Sequence, residues 1–201
     1  MTGPRAHRQL PRRIVQLLLG LFLYGIAIAF MVVAELGAAP WDVLTLGLIN
    51  HFPLTFGVMN VVVSVIVLLL WIPLRERPGI ATLLNALLVG PSADVGLLLI
   101  PEAPNLWVQV LYYLIGLVLL GAATGMYIGA KFGSGPRDGL MTGLNRVTGL
   151  QIWVVRTTLE VGVVAVGWLL GGLVGIGTVV FVFTIGPLCQ YFLKIFTVKG
   201  V

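Results

Sequence analysis

A duplicated motif carries the first candidates for chemistry. The pattern G-x-x-P-x-D-x-L-x-x-G-L runs from Gly37 to Leu48 and again from Gly133 to Leu144, placing Asp42 and Asp138 two residues after a proline. Proline suits the first turn of a helix, where an aspartate can accept hydrogen bonds from the exposed N–H groups or offer its carboxylate to a ligand. Both uses stay open, because duplication copies caps and binding sites alike. A third carboxylate, Asp94, stands three residues beyond Gly90-Pro91 in a long apolar run. The proline frees a carbonyl by removing one helical hydrogen bond, and an embedded carboxylate must find a partner in the protein interior. Asp94 is therefore either a ligand group or a hydrated neighbour of a proline kink.

Arg156 and Glu160 are four residues apart, on one face of a helix, where they can pair. Such a pair serves as a substrate clamp or proton-linked switch, or as a charge-compensated structural contact with Arg156 snorkelling to the boundary. Asn60 and Asn85 add polar surface of the kind that cross-bonds helices or lines a path. Catalytic readings are weak by comparison. With one cysteine, Cys189, and two histidines, His7 and His51, there is no cluster of metal-ligand spacing, and no phosphate loop or nucleophile elbow is present. The residues point away from an enzyme, a resident cofactor or a bound metal.

These polar residues must be carried by apolar elements. Of 201 residues, 59% are hydrophobic and 9% charged, against about 25% charged in a soluble domain. A hydrocarbon core about 30 Å thick needs about 20 apolar residues per helical crossing. Six runs qualify: 14–34, 55–73, 79–100, 106–130, 150–170 and 174–196. Two stretches, 40–50 and 136–146, are too short to cross and read as re-entrant or interfacial helices. The expected fold is an all-α transmembrane bundle of six spans, in two units, 14–105 and 106–201, behind a basic N-terminal tail, 1–13.

Charge sets the expected orientation. With the N-terminus in the cytoplasm and six alternating spans, all 12 Lys and Arg residues fall on the inner side, counting Arg137 in the second short segment and a snorkelling Arg156. The outer side receives Asp42 and Glu102. Since Lys and Arg resist translocation, both termini are expected inside. The net charge of +5 is then an orientation signal and not a nucleic-acid footprint. Trp41, Trp107 and Trp168 fall near the outer boundary in this reading, and Trp71 and Trp153 near the inner one.

The chain also repeats itself. Gly20, Gly25, Gly37, Pro40, Asp42, Leu44, Gly47 and Leu48 recur, 96 residues later, from Gly116 to Leu144, and Gly90-Pro91 recurs as Gly186-Pro187. The first span thus has a mate deep in the protein, which argues against a cleaved leader. Three spans per unit turn the second copy over, so the expected architecture is an inverted repeat. The ridge of Gly121, Gly125 and Gly129 suits close helix packing, within the chain or in a homo-oligomer.

The Pro40-Trp41-Asp42 motif within Leu23 to Leu48, Trp71-Ile72-Pro73-Leu74 with Arg77-Pro78-Gly79-Ile80, and Gly135-Pro136-Arg137-Asp138-Gly139 together resemble the YczE family of bacterial integral membrane proteins, a family loosely grouped with YitT-type proteins. The resemblance covers nearly the whole chain. It implies a bacterial plasma-membrane location and brings no activity with it.

Inverted repeats, broken helices and embedded charges suit a secondary transporter or permease for a small solute. The expected site is a midplane cluster of Asp94, Arg156 and Glu160, with Asp42 and Asp138 nearer its two mouths. Acids outnumber the single embedded arginine, which favours a cationic or proton-coupled solute. The alternative is a non-transporting scaffold or accessory factor for another complex. A transporter should gather its polar residues around one cavity, whereas a scaffold should disperse them.

Overall fold

In a computed structural model that describes residues 4–198, the chain forms eight helices: α1 (Pro4–Val33), α2 (Pro40–Ile49), α3 (Phe56–Leu74), α4 (Ile80–Leu99), α5 (Leu106–Gly129), α6 (Pro136–Thr148), α7 (Ile152–Leu169) and α8 (Ile176–Phe196). Local chemistry sets their ends. Pro40 and Pro136 occupy the first turns of α2 and α6, and the Asn105 and Thr55 side chains cap α5 and α3 by accepting from Val108 N and Val58 N at 3.1 and 3.2 Å. Six helices are long and apolar enough to cross a membrane: α3, α4, α5, α7, α8 and residues Gln9–Val33 of α1.

The helix ends lie within two residues of the expected boundaries, except at the start of α1. There the segment expected as a tail is helical from Pro4, continuous with the first span. Arg13 supplies the reason. Its Nε and Nη2 donate to the Ala130 and Lys131 carbonyls at 2.9 and 3.1 Å, and its guanidinium lies 4.3 Å from the centre of the Phe132 ring. The basic turn therefore satisfies carbonyls left open where α5 ends. Arg5, Arg8 and Lys199, counted above in the charge partition, lie outside the residues whose side chains are described, as does His7.

Helices α1 and α5 form the centre and run antiparallel. Gly20 of α1 seats against Ala123, Met126 and Tyr127 of α5, and Gly116 of α5 against Ala27 and Met31 of α1. Leu17, Leu21, Ile28, Leu117 and Leu120 fill this seam. Helix α4 packs on α1 and α8 packs on α5, while α2 lies on α7 and α6 lies on α3. The glycine ridge of α5 is spent inside the chain: Gly121 and Gly125 meet Leu188 and Phe192 of α8, and Gly129 meets Phe196.

Backbone details recur at the 96-residue spacing. Glu35 and Lys131 have φ of 56° and 57°, followed by Gly37 and Gly133 at 123° and 126°. No L side chain adopts the latter conformation without strain. After this turn, the Thr82 hydroxyl donates to Ser134 O at 2.6 Å, and its mate Thr178 donates to Ala38 O at 2.9 Å. Each half therefore holds its own short helix by a threonine borrowed from the other half. Asn50 to Leu170 O and Arg146 to Leu74 O form a second exchanged pair at the far ends of α2 and α6.

One seam departs from the pattern. Helix α3 lies along α4, with Gly57 and Gly90 backbone to backbone, whereas the equivalent α7 makes no comparable contact with α8. Asp94 closes the first seam: Oδ2 accepts from the Thr55 hydroxyl at 2.6 Å and Oδ1 from Gly57 N at 2.7 Å, so one carboxylate caps the start of α3. In the second half the mates of Thr55, Gly57 and Asp94 are Gln151, Trp153 and Gln190. Trp153 instead has a local partner, its indole N–H donating to Gln151 Oε1 at 2.5 Å.

The two seams should respond differently to the same change. A methyl at Gly90 would lie 3.0 Å from the Gly57 carbonyl carbon, while one at Gly186 meets nothing within 4 Å. Gly90→Ala is expected to lower stability by on the order of 1–3 kcal/mol through overpacking. Gly186→Ala should change it by less than about 1 kcal/mol. Thermal unfolding of the two variants in detergent checks this.

Candidate functional site

The first turns of α2 and α6 approach each other inside the bundle. Asp42, at 2% exposure, pairs through Oδ1 with Nη2 of Arg137 at 3.4 Å, and the same guanidinium stands 5.4 Å from the centre of the Trp41 ring. Trp41 and Arg137 occupy equivalent positions of the two motifs, so the copies meet ring against cation. Each short helix then runs away from this meeting point, α2 toward the end of the bundle where α3 begins and α6 toward the end where α3 finishes. Two helices that start within side-chain reach of one another and run to opposite ends begin inside the bundle.

This junction overturns two placements read from the sequence. Arg137 was assigned to the inner surface with the other basic residues, and Trp41 to the outer boundary. Both lie where the first turns of α2 and α6 meet inside the bundle, because packing carries those turns inward however their loops are charged.

A cavity of about 200 Å³ opens beside the junction. Its polar lining comes from Tyr24, Tyr127, Arg137, Asp138, Arg156 and Glu160. Tyr127 donates its hydroxyl to Asp138 Oδ2 at 3.0 Å, and Arg156 Nε donates to Glu160 Oε1 at 2.8 Å. A smaller chamber of about 50 Å³ lies on the other side of Arg137, with Asn60, Ser64 and Asn85 in its wall. Tyr24, Tyr127, Arg137 and Asp138 line both. Arg137 thus stands between two compartments, and Trp71 holds its helix in place by donating its indole N–H to Pro136 O at 3.0 Å.

Six of the seven residues singled out from the sequence meet around this centre: Asp42, Asp138, Arg156, Glu160, Asn60 and Asn85. Asp94 does not, since both its oxygens are spent at the start of α3. Asp42 and Asp138 sit at the middle and not at two mouths. Arg137, Tyr24 and Tyr127 were missed as site residues. Arg137 carried a signal, being a charge inside the repeated motif, whereas nothing in the spacing of two tyrosines on apolar spans marks them.

The charged lining of the cavity is formally balanced, Asp138 and Glu160 against Arg137 and Arg156, while Asp42 pairs with Arg137 from outside that lining. Asn60, at 2% exposure, also has its Nδ2 without a hydrogen-bond partner among the described residues. An unmade buried hydrogen bond costs about 1–3 kcal/mol, a cost that a bound polar group in the chamber would remove. Among the described residues no three His, Cys, Asp or Glu side chains gather as a metal-ligand set.

Comparison with known proteins agrees with this membrane architecture. The model of a family of unknown function, DUF6198, matches residues 11–194. An uncharacterised protein of Haemophilus influenzae is 38% identical over 179 residues, 89% of this chain and 82% of that protein. The uncharacterised membrane protein YczE of Bacillus subtilis is 30% identical over 157 residues, 78% of this chain and 73% of that protein. A second Bacillus subtilis protein, YyaS, is 29% identical over 181 residues, 88% of this chain and 90% of that protein. The resemblance to YczE-type proteins drawn from the motifs therefore holds. No solved structure matches this chain.

The Asp42–Arg137 pair should behave as a unit. Removing one partner from a buried pair strands the other charge, so Arg137→Gln is expected to destabilise by on the order of 3 kcal/mol. Adding Asp42→Asn should recover most of that loss. Thermal unfolding of the two single variants and the double variant measures the coupling, and additive losses would contradict it.

Proposed function

The chain belongs to the DUF6198 family, and from that premise we propose that it is a multi-pass secondary transporter for a small solute, built as an inverted repeat and working by alternating access. It is a carrier and not an enzyme. The observation that carries this reading is convergence: charged and polar groups from both halves surround one cavity where two half-helices meet. Discontinuous helices at such a junction are a recurrent way to build a transporter site, and buried charge of this density is rarely kept for packing.

The placement of cations supports an orientation with both termini in the cytoplasm of a bacterial plasma membrane. Arg12, Arg13, Arg75, Arg77, Lys131, Arg146 and Lys194 all lie toward the end of the bundle where α1 begins and α8 finishes. Carboxylates in the cavity wall, Asp138 and Glu160, favour a cation or a proton as the coupled or transported species. Arg137 divides the path, and release of its pairing with Asp42 would join the two chambers. The closed α3–α4 seam and the loosely held α7 are the two elements whose exchange would switch access from one side to the other.

Proteoliposomes with an internal pH reporter, screened with small organic and inorganic cations, test the proposal. Asp138→Asn and Glu160→Gln are expected to cut flux at least about tenfold, the loss of roughly 1.4 kcal/mol of binding or barrier energy. Asn60→Leu should raise the thermal midpoint, by removing an unsatisfied donor, while lowering flux. Asp94→Asn should lower the midpoint and leave KM unchanged. Absence of flux for every solute would return the scaffold reading.

A further inference from the structure

The open seam between α7 and α8 adjoins the central cavity. Its space of about 390 Å³ falls within the size range of small-molecule sites. The walls are Val161 and Val164 of α7 and Val179, Val182 and Phe183 of α8, all apolar. Glu160 and Pro40 stand at its inner end, and both also line the central cavity. The apolar cleft and the charged cavity therefore adjoin at one carboxylate.

This opening is written into the side chains. The matching α3–α4 seam is shut because Gly57 and Gly90 touch and Asp94 ties the two helices together. On α7 the position of Gly57 is Trp153, 64% exposed, and the carboxylate of the latch is replaced by Gln190. Neither the close backbone approach nor the latch can form. Helix α7 buries only Val155 and Gly167, and is held through α2 and α6.

We infer that the α7–α8 cleft is a lateral portal for a cationic amphiphile, whose apolar stem lies between the two helices while its cationic head reaches Glu160 at the edge of the central cavity. The inference rests on the transporter reading and names its class of substrate. A hydrophilic solute gains nothing from walls of valine and phenylalanine, and an anionic head would meet Glu160, a carboxylate and the one charged residue of the cleft's lining among the described residues. A single-chain cation satisfies both surfaces at once. It would enter from the bilayer, where such molecules concentrate.

Equilibrium binding to the full chain in nanodiscs, referenced to protein-free nanodiscs, tests this with three probes: dodecyltrimethylammonium, tetramethylammonium and dodecyl sulfate. Dodecyltrimethylammonium should bind at least about tenfold tighter than either of the others. Val182→Trp, which fills the cleft at a surface position, should weaken dodecyltrimethylammonium about tenfold and leave tetramethylammonium unchanged; Val179→Trp serves as a second filling variant. Glu160→Gln should weaken both cations. Equal binding of the two cations, equal binding of the sulfate, or indifference to both tryptophans would overturn the portal. So would a dimer in light scattering that Val182→Trp dissociates, since a second copy would then own the cleft. Chain-dependent binding without flux in proteoliposomes would uphold the cleft and remove the transporter reading. Flux of tetramethylammonium with no preference for the dodecyl chain would do the reverse.

Discussion

Asp42 is buried away from solvent and takes its counter-charge from Arg137, and that requirement organises the bundle around the pair. A carboxylate at 2% exposure needs a cation, and the cation comes from the equivalent turn of the other half. To bring the two together, both short helices must begin inside the bundle, which forces the chain to reverse sharply after α1 and after α5. The positive φ values at Glu35, Gly37, Lys131 and Gly133 are the backbone form of that reversal. The threonines that hold each turn reach across from α4 and α8. Pairing, turns and the antiparallel crossing of α1 and α5 are thus one constraint seen at three scales.

Within this shared frame the halves have diverged where function would act. The same turn presents Trp41 in one copy and Arg137 in the other, so the junction is complementary where strict repetition would have set like against like. The same seam is closed by Asp94 in one half and left open by Gln190 in the other. Arg156 and Glu160 replace Asn60 and Ser64, so the charged wall faces the open seam and the neutral amides face the closed one. Divergence has concentrated charge on the side that α7 leaves accessible.

Much of this was legible before any coordinates. The length of the apolar runs, the placement of prolines and the absence of soluble-domain composition account for all six spans and both short helices. The 96-residue repeat anticipated which features would be paired. Asp94 shows the limit of such reading: its position inside a span made it look functional, yet a carboxylate next to a helix start is claimed by the exposed N–H and hydroxyl groups there. Arg137 shows the complementary limit. Charge counting assigns it to a surface, because counting assumes that a short segment between spans lies outside the membrane.

What the sequence by itself determined is the set of local and solvent-imposed properties: hydropathy decides which segments cross, proline and glycine decide where helices begin and turn, and duplication decides which residues are equivalent. Only the tertiary structure decided how deep the short helices lie, which carboxylate meets which cation, and which of two equivalent seams is shut. Those outcomes depend on contacts between residues 95 positions apart, as in Asp42 with Arg137, and on whether a glycine or a tryptophan occupies a helix crossing. Periodicity along a chain carries no information about such distances, because close packing and charge pairing are settled by what the fold brings face to face.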